Sequence, residues 1–144
     1  LGRPYSVRGH VVRGDGRGRH LGFPTANLAG FDPDKLLPPP GIYAVRVHTR
    51  RGSHDGALHL GPRPTFQGAP PSVEVHLMDF DGDLYGEILR VDFIRFLRPV
   101  APFDSVEALV RQMRSDVARA RAVLAEDPPP GEAAPTPGGA SPAG

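Results

Sequence analysis

Five short stretches of this chain read as strands, and one stretch near its C-terminal end carries apolar residues at helical spacing. Tyr5 to Val12 sets Tyr5, Val7 and Val11 on one side. Ile42 to Thr49 alternates Tyr43, Val45 and Val47 with Arg46 and His48. Ala57 to Leu60 reads as a short strand. Ser72 to Met78 puts Val73, Val75 and Leu77 on one face and Glu74 and His76 on the other. Asp79 to Asp83, with its Asp81-Gly82 pair, carries turn chemistry and leads to a strand from Glu87 to about Phe96. Asp104 is placed to cap a helix, with Glu107 as its capping-box partner. Val106, Leu109, Val110, Met113, Val117 and Leu124 then form one apolar stripe, read as core. Many short strands and one terminal helix predict a closed antiparallel barrel plugged or flanked by that helix.

Length and charge narrow the class. A chain of 144 residues suits one domain, here residues 1–126. The stretch Asp127 to Gly144 is Pro, Ala and Gly with almost nothing large and apolar, so it reads as a disordered tail. Seventeen basic against sixteen acidic residues give a formal net charge of +1, which argues against a polybasic nucleic-acid or membrane module. Phe and Tyr do not alternate with basic residues as a base-stacking platform needs. No cysteine is present, which rules out disulfides and thiol chemistry and suits a cytoplasmic setting. No apolar run approaches the roughly 20 residues that span a bilayer.

The densest chemical signal is Gly14 to Asn27, with glycines at 14, 16, 18 and 22. Closely spaced glycines let backbone N–H groups approach an anion, and Arg17 and Arg19 add charge. Pro24 stiffens the chain before Thr25. In extended backbone Thr25 and Asn27 project to one side, where a hydroxyl and an amide oxygen suit a hard cation such as Mg²⁺. The glycine pattern taken alone is equally that of a surface loop with an Asn turn. A P-loop is absent: Lys35 is the only lysine and no glycine loop precedes it. Glu74 on the polar face of its strand is either an exposed glutamate or, in a cleft, a base for a hydroxyl nucleophile. The six histidines show no zinc-type spacing. Gly61 to Phe66 and Leu97 to Asp104 are proline-rich loops with an arginine in each, and simple turns are the default for both.

Taken in order, these segments resemble the riboflavin kinase family. The resemblance rests on Gly22-Phe23-Pro24-Thr25-Ala26-Asn27, Gly41-Ile42-Tyr43, Leu60-Gly61-Pro62-Arg63-Pro64-Thr65-Phe66, Val73-Glu74-Val75-His76, Leu84-Tyr85-Gly86-Glu87 and Phe103-Asp104-Ser105, and it covers Leu1 to about Leu124. It implies a six-stranded antiparallel Greek-key β-barrel with a C-terminal α-helix. It implies transfer of the γ-phosphate of ATP to the ribityl 5′-hydroxyl of riboflavin, giving FMN and ADP. Thr25 and Asn27 would hold Mg²⁺ or another divalent cation and touch the phosphates. Gly14, Arg17, Gly18, Arg19, Gly22 and Pro24 would cover ATP, with Leu77, Asp79 and Tyr85 near the nucleotide. Glu74 would be the base, and Arg98 and Phe103 would lie near the flavin.

One departure stands out: many bacterial members carry Asn where this chain has His59. Bacterial members usually carry an N-terminal adenylyltransferase module that makes FAD, and Leu1 to Tyr5 resembles the junction after it. The chain is therefore expected to be the kinase piece of a bifunctional enzyme. A non-catalytic flavin-binding module and a kinase for another small alcohol are the alternatives.

Overall fold

The computed structural model describes residues 4–13, 25–31, 36–61 and 72–127. The glycine segment, the loop after Gly61 and residues 128–144 of the expected tail lie outside the described residues. The elements are β1 (Tyr5–Val12), β2 (Ala26–Ala29), β3 (Gly41–Thr49), β4 (Gly52–Leu60), β5 (Val73–Leu77), β6 (Ile88–Arg98) and α1 (Val106–Ala125).

The strands close into a barrel in the order β1-β2-β5-β4-β3-β6, with every neighbouring pair antiparallel. Strands β3, β4 and β5 form a meander, and β6 returns beside β3, which is the Greek-key arrangement. Alternation decides what goes inside. Val7, Val45, Val47, Leu58, Leu60, Val75, Leu89 and Val91 fill the interior.

Strand β3 is buried on both faces, from Gly41 through Val47. The reason is α1, which flanks the barrel. Ile42, Ala44, Met78 and Leu97 on the barrel's outer wall pack with Ala120, Val123 and Leu124 of the helix in a second apolar cluster. Leu97 reaches that outer cluster because the β3–β6 register shifts between Ile42 and Tyr43 and again between Ala44 and Val45.

The strands differ from the sequence expectation in two places. β2 forms from only four residues, ordered by ladders to β1 on one side and β5 on the other. β4 starts at Gly52 rather than Ala57, because Gly52 to Gly56 complete a hairpin with β3. Gly56 is required there by close approach: a Cβ would stand 2.9 Å from the His76 carbonyl oxygen. The Asp79–Asp83 turn does not join paired neighbours; β5 and β6 lie apart in the barrel.

The helix also departs from expectation at its start. Ser105, not Asp104, is the N-cap, and its hydroxyl oxygen accepts from the Ala108 N–H at 3.1 Å. Only the residue directly before the first helical turn has the extended backbone that aims its side chain at those amides, and Ser105 has it. The stripe is core only in part: of its members Leu124 is buried, Leu109, Val110, Met113 and Val117 are half-buried and Val106 is 58% exposed. Ala120 and Val123, outside the stripe, are buried with Leu124. At the other end α1 has no basic residue in its last turn. Arg46 of β3 supplies one. It is buried, donates from Nη2 to the Leu124 carbonyl at 2.9 Å, and lies 3.4 Å from Asp55. A cation there satisfies an end carbonyl and opposes the helix dipole.

Two stability measurements follow from this anchoring. Ser105→Ala should cost about 1 kcal/mol in urea unfolding, while Asp104→Ala stays within about 0.5 kcal/mol. Arg46→Met should cost about 1.5–3 kcal/mol, because it removes a buried hydrogen bond from a charged donor to the Leu124 carbonyl, with the denaturant slope unchanged.

Candidate active site

One transverse row of the sheet organises the site. Arg98 of β6 pairs with Ile42 of β3, Ile42 with His59 of β4, His59 with Glu74 of β5, and Glu74 with Asn27 of β2. Directly paired residues in antiparallel strands project to the same face. The interior is filled by Val73 and Val75 on either side of Glu74, so this row faces outward.

That outer face does not meet the helix tightly along its whole length. A cavity of about 320 Å³ lies between the barrel wall, the N-terminal half of α1 and the β6–α1 connection. The wall contributes Ile42, Ala57, His59, Glu74 and His76. The end of β6 contributes Arg98, the connection Val100, Ala101 and Phe103, and α1 contributes Leu109, Met113, Asp116 and Val117. Leu109, Met113 and Val117, read from the sequence as core, thus line a cavity. A mostly apolar cleft with a few convergent polar groups is the form of a small-molecule site.

Thr25 lines the same cavity, and its Oγ1 lies 3.4 Å from Glu74 Oε1. Asn27 sits beside Glu74 in the ladder. A hydroxyl, an amide and a carboxylate therefore cluster at one end of the row. At the other end, Arg98 forms a two-pronged ion pair with Asp116, Nε to Oδ1 at 2.8 Å and Nη2 to Oδ2 at 2.7 Å. The Arg98 guanidinium carbon lies 5.7 Å from the Phe103 ring centroid.

Thr25, Glu74, Arg98 and Phe103 are thus brought to one cavity, with Asn27 adjacent. Three other candidates sit elsewhere. Leu77 belongs to the barrel interior. Asp79 has a left-handed backbone (φ 55°) and pairs with Arg121 at 3.0 Å. The Arg121 hydrogen bond and charge hold the Asp79 carboxyl below its usual range. Tyr85 is exposed, with Arg13 over its ring at 4.2 Å. The backbone of Gly86 and Glu87 bonds Val11, so this corner is stitched to the strand end from which residues 14–24 depart. Gly14, Arg17, Gly18, Arg19, Gly22 and Pro24 lie outside the described residues.

Sequence reasoning missed Asp116. Its signal was available: an acidic residue three positions after Met113 and seven after Leu109, on the apolar side of an amphipathic helix. Among the described residues, no group of three His, Cys, Asp or Glu side chains is placed to hold a metal ion. Also among them, no helix is long and apolar enough to cross a membrane.

Known proteins resemble this chain over most of its length. The family model for flavokinase, "Riboflavin kinase", matches residues 1–124. A bifunctional riboflavin kinase/FMN adenylyltransferase of Listeria monocytogenes is 39% identical over 88% of this chain, and the match spans 40% of its own length. The human riboflavin kinase is 39% identical over 82% of this chain and 79% of its own. The crystal structure of riboflavin kinase from Trypanosoma brucei superposes with a TM-score of 0.62 at 29% identity, covering 87% of this chain and 82% of that one.

Proposed function

The chain belongs to the riboflavin kinase family, and we propose that it carries out that family's reaction in the outer cavity: ATP and riboflavin give FMN and ADP. The observation that carries this placement is the transverse row, which sets the Thr25–Asn27–Glu74 cluster at one end and Arg98 with Phe103 at the other. A flat apolar ring fits among Ile42, Met113 and Phe103, and its polar tail then runs along the row towards Glu74.

Glu74 is assigned as the base. The acceptor hydroxyl oxygen bonds to the γ-phosphorus as the bond from that phosphorus to the ADP oxygen breaks, and the hydroxyl proton passes to Glu74. The chain's contribution is mainly to place the two substrates in line and exclude water. Thr25 and Asn27 offer neutral oxygen donors of the hard kind Mg²⁺ accepts, next to the carboxylate, so they fit a divalent cation carried in with ATP. When bound, that cation would neutralise charge on the transferring phosphate.

The glycine segment, with Gly14, Arg17, Gly18, Arg19, Gly22 and Pro24, joins Arg13 to Thr25 and is assigned to cover ATP. Tyr85, beneath Arg13 at the root of that segment, is assigned to its edge. Leu77 and Asp79 enter as nucleotide neighbours by resemblance alone. The chain spans about 40% of the length of the bacterial relatives it matches. For the whole protein we propose pairing with an FMN adenylyltransferase module, which would consume the FMN made here, in a cytoplasmic setting.

The test is direct: the chain incubated with riboflavin, ATP and Mg²⁺ should yield FMN, separable by chromatography, only when all three are present. Riboflavin binding without FMN would point instead to a flavin-binding module. Glu74→Gln should lower kcat by about 100-fold or more, the weight of a general base, while riboflavin affinity changes by less than about threefold. Near-normal turnover in that variant removes Glu74 from the role. Thr25→Ala should raise KM for MgATP by about tenfold, the loss of one hydrogen bond to a charged group, with KM for riboflavin unchanged.

A further inference from the structure

Asp116 is 7% exposed, an uncommon place for a carboxylate, and nothing in the reaction above uses it. Its two oxygens are engaged by Arg98 at 2.8 and 2.7 Å, and Gln112, one helical turn earlier, donates to Oδ1 at 3.0 Å. Arg98 in turn donates from Nη1 to the Pro99 carbonyl at 3.0 Å. Three of the five guanidinium N–H groups are thereby committed, and the plane is fixed along the rim that also carries Phe103.

We propose that Asp116, held by Gln112, is a positioning residue for the acceptor site. It locks the Arg98 guanidinium and the β6–α1 connection over the cavity, and it neutralises the arginine so that this end of the cavity takes an uncharged ring. The inference rests on the cavity being the riboflavin site.

Three observations support it. A guanidinium beside an open cavity would ordinarily recruit an anion such as carboxylate or phosphate. Here that role is already filled by Asp116 in two-pronged geometry, so a second anion would gain little. The two N–H groups that remain, one on Nη1 and one on Nη2, can still donate to neutral acceptors such as ring carbonyls. The pair also ties α1 to the end of β6 beside the cavity, while Ala120, Val123 and Leu124 further along the helix pack against the wall. Arg119, which donates to the Leu97 carbonyl at 2.9 Å, marks where close contact resumes.

The experiment compares wild type with Asp116→Asn and with the apolar double replacement Arg98→Met/Asp116→Leu. Riboflavin affinity is read by fluorescence quenching, FMN formation by chromatography, and folding by thermal melting. Asp116→Asn should weaken riboflavin binding by about tenfold or more, with KM for MgATP within twofold and kcat at saturating riboflavin largely kept. A purely structural role would lower the melting point and leave that split between KM values absent. Replacing both partners of a buried ion pair is often neutral for folding. The double variant should therefore melt near wild type yet bind riboflavin at least about tenfold more weakly, since it lacks Arg98 as well, and it keeps the proposal open to refutation if Asp116→Asn fails to fold. Wild-type riboflavin affinity in either folded variant overturns the positioning role and leaves the kinase reading standing. Riboflavin binding without FMN formation in the wild type overturns the kinase reading, while the variants' affinities still judge Asp116.

Discussion

Closure of the barrel between β1 and β6 is the constraint on which the rest depends. A six-stranded barrel is narrow, so its interior accepts one set of alternating apolar side chains and nothing else. Once Val73, Val75 and Leu77 are committed inward, Glu74 and His76 have no choice but to face out. The outer wall of β3, β4 and β6 is then itself partly apolar, and α1 covers it. The helix is pinned at its C-terminal end by packing and by Arg46, while its N-terminal half stands off the wall. The cavity is the space that this uneven docking leaves.

The fold was legible wherever periodicity was strong. β1 matches its expected bounds, and β3, β5 and β6 fall within two residues of theirs at each end. What alternation could not reveal was order imposed by neighbours. β2 is four residues with little pattern of its own, and it exists because β1 and β5 both lend it hydrogen bonds. Residues 52–56 look like turn chemistry, yet pairing with β3 makes them strand. Ser105 and Asp104 are both good capping residues, and only backbone conformation separates them.

The site was legible in its chemistry and less so in its assembly. The even spacing of Thr25 and Asn27, and the placement of Glu74 on a polar face, were readable from the sequence. That the two belong to adjacent strands in register was not, because it depends on the β2–β5 ladder. Arg98 drew notice as an arginine before a proline, but its partner on α1 did not, since the helical stripe was read by its apolar members alone. A carboxylate interrupting such a stripe needs a buried partner, and that rule would have led to Asp116.

The two faces of β4 and β5 serve different masters, and this has an evolutionary consequence. Substitutions at inward positions such as Val75 and Leu60 disturb folding, whereas outward positions such as His59 and His76 meet the cavity instead. Drift at one set need not be compensated at the other. The shape of the acceptor site can therefore diversify among descendants of this barrel, one outward residue at a time, while the hydrophobic interior stays as it is.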